Sequence, residues 1–193
     1  MRYVSMFVVV LLVFAFALTF AAIAAAGQLT PRPVDPVAAE TLARGAEKSA
    51  TIRSLIAVIE RSNVIVHIES SRALPLGVSG WTRFVTSRGG YRYVRITLDA
   101  ALPLRWRSII LAHELQHACE VAQSAAADGK SLRALFERTG HRAGNYYDTR
   151  AALEVERHAR LEIDKPAHEG ELASPKSARR RALQAEPVAK FDH

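Results

Sequence analysis

Ile109-Ile110-Leu111-Ala112-His113-Glu114-Leu115-Gln116-His117-Ala118-Cys119-Glu120 is the stretch whose reading decides the rest of the chain. Pro103 stands before it, and neither Pro nor Gly interrupts the sequence from there to Gly129, so the pattern predicts a helix from Pro103 to about Gln123. Its uncharged flanks place this helix at the centre of a domain. Four residues rotate about 400°, so His113 and His117 lie about 40° apart on one face and roughly 6 Å apart along the axis. Both rings can reach one tetrahedral metal ion at about 2.0–2.1 Å. Glu114, beside the first histidine, can point over the metal and take a proton from water. The competing reading is a surface helix whose His and Glu face water. The apolar flanks weigh against it, because burying such groups costs free energy unless they are paired or ligated.

Working outward, the sequence before this helix supplies two helices and three strands. Val37 to Glu47 reads as a short helix with Pro36 at its first turn. Ser49 is placed to cap a second helix, with Ile52, Leu55, Ile56 and Ile59 at helical spacing and Asn63 at its end. Val64 to Ile68 reads as a strand. Trp81–Thr86 and Tyr91–Leu98 read as a hairpin closed by Ser87-Arg88-Gly89-Gly90. After the central helix, Asp128–Thr139 and Thr149–Ile163 read as helices, the first stopped by Gly140. Strands grouped together and helices grouped together make an α+β fold, expected as a small three-stranded antiparallel sheet packed on the central helix.

The nonapeptide Leu111–Cys119 resembles the active-site helix of the zincin metallopeptidases, the group built around His-Glu-x-x-His. That resemblance implies one zinc ion, with His113 and His117 as ligands and Glu114 as the catalytic base. It also implies that an edge strand above the helix takes an extended substrate by strand addition, a role for which the hairpin 81–98 is the candidate. The residues after His117 are Ala118-Cys119-Glu120-Val121-Ala122-Gln123, without the Gly and third His of the metzincins. The pattern is more similar to the gluzincins and aspzincins, which take an acidic third ligand from a later segment.

Glu120, Asp148, Glu154 and Glu156 are the candidates for that ligand. Glu120 shares the metal face of the helix but sits two turns from His113, which suits a partner to His117 better than a ligand. On a last helix counted from Asp148, Ala152, Val155 and Ala159 fall within about 40° of Asp148, so Asp148 begins the core-facing stripe. Glu156 falls about 80° away, at its edge, and Glu154 about 240° away, on the far side. Asp148 is therefore the expected ligand, with Glu154 and Glu156 in reserve. The alternative is that Asp148 caps the helix. His141, His158 and Tyr146 are candidates for steadying a reaction intermediate. His67 reads as a partly exposed strand residue, with a metal ligand as the alternative.

No charged residue lies between Arg2 and Arg32, and residues 7–26 are apolar or small, ending Ala24-Ala25-Ala26. A basic start, an apolar stretch and an Ala-x-Ala exit describe a signal peptide over 1–26, with cleavage before Gly27; the alternative is an uncleaved membrane anchor. Both readings export the domain to a periplasmic, secreted or envelope-associated location. Residues 27–36 read as a Pro-rich leader, 37–165 as the domain, and 166–193 as a disordered tail. The 193 residues allow one ordinary domain, and a single Cys excludes a disulfide framework and a Cys-rich metal site. Cys119 reads as a small buried hydrophobe. The net charge of +7 is spread along the chain, so no specific nucleic-acid partner is expected. A membrane is a partner only if the leader is uncleaved. The sequence thus yields two functional expectations. One is an exported zinc metallopeptidase acting on a peptide or protein; the other is an exported binding protein that keeps the zinc scaffold without turnover.

Overall fold

The computed structural model describes residues 30–143 and 146–165. The apolar leader 1–26 and the tail 166–193 lie outside the described residues. The domain up to Ile163 is α+β. Strand β1 (Arg32–Pro33) leads into helices α1 (Pro36–Lys48) and α2 (Ala50–Glu60). Strands β2 (Val64–Ser71), β3 (Gly80–Arg88) and β4 (Tyr91–Asp99) follow. The metal-motif helix is α3 (Leu104–Ala122), succeeded by α4 (Gly129–Thr139), strands β5 (Gly140–Ala143) and β6 (Tyr146–Thr149), and α5 (Arg150–Ile163).

The main sheet differs from the antiparallel three-stranded sheet expected. It has four strands in the order β1-β2-β4-β3, with β1 parallel to β2, β2 parallel to β4, and only β3–β4 antiparallel. The reason is the path after β2. Residues 72–79 carry the chain past the neighbouring position to the far edge, and the hairpin then folds β4 back into the gap. The hairpin itself is as read: Gly89 and Gly90 have φ of 60° and 82°, the pair of positive values that a two-residue hairpin turn of matching twist requires. Within the Pro-rich leader, Arg32–Pro33 joins the sheet as an edge strand.

Helix entries follow the capping chemistry of the sequence. Ser49 accepts the Ile52 N–H at 3.1 Å, and Asp128 and Ser131 form a capping box on α4. Asp35 caps α1 at the Ala38 N–H (2.9 Å) and also accepts the Ser70 N–H and hydroxyl, each at 2.7 Å, tying α1 to the end of β2. The core lies between the sheet and α3. Val66, Ile68, Val94, Ile96 and Leu98 meet Leu111, Ala112, Leu115 and Ala118, all essentially inaccessible to solvent. Cys119 is buried there, with Sγ 3.6 Å from the Leu55 carbonyl, and burial pushes its thiol up to about 12.

α3 ends without a glycine cap. The Arg92 guanidinium, projecting from β4 into the helix side of the sheet, donates to the carbonyls of Val121 (2.7 Å), Ser124 (2.8 Å) and Ala122 (3.1 Å). A cation on the last carbonyls also suits the helix dipole.

Asp35→Ala should lower stability by about 1–2 kcal/mol in urea unfolding at neutral pH, since it removes a cap and the link to Ser70. Burial opposes the Asp35 charge, but the hydrogen bonds from Ala38 and Ser70 outweigh it and hold the carboxyl below its usual range. That contribution is complete above the ordinary aspartate pKa and is lost as pH falls through the lowered one. The gap between wild type and Asp35→Ala should therefore narrow in acid; a gap independent of pH would show that the charged carboxylate contributes nothing.

Candidate metal centre

α3 brings four ionisable side chains, His113, Glu114, His117 and Glu120, into the interior or its margin. His113 and His117 are 8% and 5% exposed, and Glu114 is 5% exposed. The one-turn spacing has the consequence expected: the two Nε2 atoms converge to 3.2 Å. Asp148 Oδ1 stands 3.4 Å from His113 Nε2. One ligand atom from each of the three residues lies within 4.8 Å of the others. Ligand atoms at about 2.0–2.1 Å from a tetrahedral cation are about 3.3–3.4 Å apart, so the two closest edges already have the spacing a metal requires.

The other nitrogen of each ring is held by a carboxylate. Glu120 Oε2 is 2.9 Å from His117 Nδ1, and Glu156 Oε2 is 3.2 Å from His113 Nδ1. This leaves both Nε2 atoms for the metal and fixes the rings, the arrangement by which an outer carboxylate orients a histidine ligand. Each carboxylate is itself anchored. Thr149 donates its hydroxyl to Glu120 and accepts the Ala152 N–H, capping α5. Arg160 donates to Glu156 at 2.7 Å and lies 5.0 Å over the Trp106 ring.

Burial alone would lower the His113 pKa, but its hydrogen bonds with Asp148 and Glu156 outweigh this and raise it to about 10. Asp148 and Glu156 are held below the usual carboxylate range by the same contacts with His113. Their negative charge holds a proton on His113; a metal cation bound there would take that proton's place, because a ligating imidazole must be neutral. Burial raises the Glu114 pKa. Its Oε2 accepts the Thr82 hydroxyl at 2.7 Å, so β3 fixes the carboxylate over the site. Gly80 makes that close approach possible: a Cβ there would sit 2.7 Å from Ile110 Cγ2 and 3.2 Å from Glu114 Oε1.

Asp148 arrives from a different element than the sequence suggests. It is on β6, paired with His141 on β5, and the cap of α5 is Thr149. The four-residue strands β5 and β6 carry Gly140, His141 and Arg142 and no alternating apolar pattern, which is why the segment reads as a loop. Glu154, a reserve ligand, points away: it is exposed and pairs with Arg150 at 3.1 Å. Glu156, the other reserve, meets Nδ1 of His113 and not the ligand side. His141 is exposed, near enough to Asp148 to favour its charge. His158 is exposed beside Arg157 on α5 and does not join the site. The Tyr146 side chain lies outside the described residues. Thr82 and Thr149 have no distinguishing sequence signal. Gly80 beside Trp81 has one, a glycine where a strand runs close to another element.

A cleft of about 700 Å³ opens over Glu114, His113, His117 and Asp148, bounded by Thr82 and Phe84 of β3 and by Leu132 and Phe136 of α4. Phe136 packs edge-on against the His117 ring at 4.9 Å. Compared with family models, curated proteins and solved structures, the chain finds no match.

The purified chain should bind one divalent transition-metal ion, and His113→Ala or His117→Ala should abolish binding. Asp148→Ala should weaken it far more than Glu154→Ala. Glu120→Ala and Glu156→Ala should each cost about 10–100-fold in affinity, measured by chelator competition. A wild-type chain that takes up no such ion, even when supplied with it, would end this reading of the site.

Proposed function

We propose that the domain is an exported zinc-dependent peptide hydrolase. The observation that carries the proposal is the convergence of His113 Nε2, His117 Nε2 and Asp148 Oδ1, with the Glu114 carboxylate on the same cleft. The donor set, two imidazoles and one carboxylate, suits zinc and is the kind that leaves a fourth position open for chemistry. A zinc ion in this site supplies Lewis-acid chemistry, polarising a carbonyl and lowering the pKa of water.

The chain's own groups supply the rest. Glu114 takes a proton from the attacking water at a carboxylate oxygen and returns it to the amine as the C–N bond breaks. Thr82, donating to Glu114, keeps that carboxylate from rotating away. Glu120 and Glu156 hold the two imidazoles by their Nδ1 atoms, so neither ring must reorient during turnover. β3 is an edge strand and runs along the cleft, so its outer backbone groups can pair with an extended peptide. Phe84, Leu132 and Phe136 then offer an apolar wall to the side chains of that peptide.

Glu114→Gln should retain the metal and the fold while lowering hydrolysis of an unfolded protein mixture by about 10²–10⁴-fold. Activity within tenfold of wild type would remove Glu114 from the mechanism. A metal-loaded wild type without turnover would favour the non-catalytic binding protein.

Export rests on the apolar leader. N-terminal sequencing of protein recovered outside the cytoplasm should begin near Gly27 if the leader is cut. Intact Met1 in the membrane fraction would identify an anchor, and protein confined to the cytoplasm would defeat the export proposal.

A further inference from the structure

The strand order and register place four basic side chains in one row across the main sheet. Arg32 on β1 pairs with His67 on β2, His67 with Arg95 on β4, and Arg95 with Arg83 on β3. Paired residues stand side by side on the same face of a sheet. This face is the one turned away from α3. The adjacent residues Val66, Val94 and Ile96 enter the core, and Thr82 reaches Glu114. Like charges placed opposite one another on a sheet oppose folding, so stability does not explain the row. Glu69 approaches Arg95 at 3.6 Å, but both side chains are substantially exposed, 33% and 49%.

Aromatic rings share the face. The Arg83 guanidinium lies 5.3 Å over Trp81, and Tyr93 stacks with His67 at 6.4 Å. Burial and the neighbouring Arg32 and Arg95 lower the His67 pKa, which reflects how closely the cations are gathered.

The path of the chain limits how far β1 can stand from the apolar segment. Thr30 is buried, and its hydroxyl accepts the Val66 N–H at 2.9 Å, so the chain is fixed to the sheet from that residue onward. The apolar sequence 7–26 ends four Cα steps earlier, a reach of at most about 14 Å. While that segment occupies a bilayer, β1 stays close to the membrane and can come within the Debye length of about 8–10 Å over which anionic lipids attract cations.

We propose that this sheet face docks on the anionic headgroup surface of the bilayer, with Arg32, Arg83 and Arg95 against lipid phosphates and Trp81 and Tyr93 at headgroup level. Tyrosine suits that depth because its ring is apolar and its hydroxyl polar; the Trp81 indole nitrogen is buried, so that residue offers the apolar part of its ring. Thr82 and Glu114 lie on the α3 side of the sheet, while β3, which carries Trp81 and Arg83, also borders the cleft over Glu114. The proposal rests on the uncleaved-leader reading and does not depend on the metal or on hydrolysis.

The test uses the full chain, synthesised into vesicles of neutral phosphatidylcholine or of phosphatidylcholine with 30 mol% phosphatidylglycerol, each carrying lipids brominated near the headgroup. Trp81 and Trp106 are the two tryptophans, so Trp106→Phe isolates Trp81, and Trp81→Phe gives the Trp106 background to subtract from wild type should the first variant fold poorly. Trp81 should be quenched in anionic vesicles and not in neutral ones. Arg83→Ser with Arg95→Ser should lower the docked-to-undocked ratio about thirtyfold, at roughly fivefold per arginine, whereas Arg83→Lys with Arg95→Lys should retain docking. Equal quenching in the two vesicles, or no effect of the serine pair, overturns the proposal. So does a Trp81 signal that answers a single-stranded oligonucleotide added to neutral vesicles and ignores anionic lipid, which would make the face a nucleic-acid surface.

Discussion

Burial of ionisable groups on α3 is the constraint that the rest of the domain answers. His113, Glu114 and His117 are each less than a tenth exposed, and isolated charges or unpaired imidazoles in such a place are strongly unfavourable. Every one of them has a partner from another element or from one turn away. β3 supplies Thr82 to Glu114, α5 supplies Glu156 to His113, β6 supplies Asp148, and Glu120 reaches back to His117. The partners are in turn tied down by Thr149 and Arg160. Removing one partner leaves a buried polar group unsatisfied, which costs more than the hydrogen bond itself contributed. The polar network thus fixes how β3, β6 and α5 sit around α3.

Anchoring the helix itself falls to two arginines at its ends. Arg92 covers the last carbonyls, and near the start Arg107 donates to the Leu102 carbonyl (2.7 Å) and the Thr41 hydroxyl (3.1 Å). Arg92 projects to the helix side of the sheet because β4 alternates, and β4 is central because the hairpin folds back between β2 and β3. The topology that the sequence conceals therefore has a role at the site. It puts β4 under the end of α3 and leaves β3 as the free edge beside the cleft.

Much of this is legible in the sequence where one local rule decides. Helical spacing places the His113 and His117 rings together, and the same arithmetic assigns Glu120 to His117. Ser49 and Gly89-Gly90 announce a cap and a turn through their own chemistry. The parallel pairing of β2 and β4 is not legible, because alternation of Val64, Val66 and Ile68 is the same in a parallel and an antiparallel neighbour. A parallel connection usually carries a helix, and here the route runs through the irregular segment 72–79 and an edge strand instead. β5 and β6 escape for a different reason. Strands of four residues, Gly-His-Arg-Ala and Tyr-Tyr-Asp-Thr, are too short to show a periodicity, and they pair between α4 and α5.

Asp148 shows how a candidate can follow from incomplete geometry. Helical counting puts it on the core-facing stripe of the last helix, yet it lies just before that helix, in extended backbone. What makes it a candidate ligand is reach. An aspartate is one methylene shorter than a glutamate, so its backbone must come close to the imidazoles. β6 can lie that close only because its partner strand begins with Gly140. A Cβ there would be 2.7 Å from the Asp148 carbonyl oxygen and 2.9 Å from that of Phe136. Gly140 lets the end of α4 and the strand bearing Asp148 press together, and Phe136, one turn before it, packs on His117. The candidate third ligand and the wall of the cleft are thereby positioned by the same close contact, a relation between backbones that no side-chain pattern in the sequence encodes.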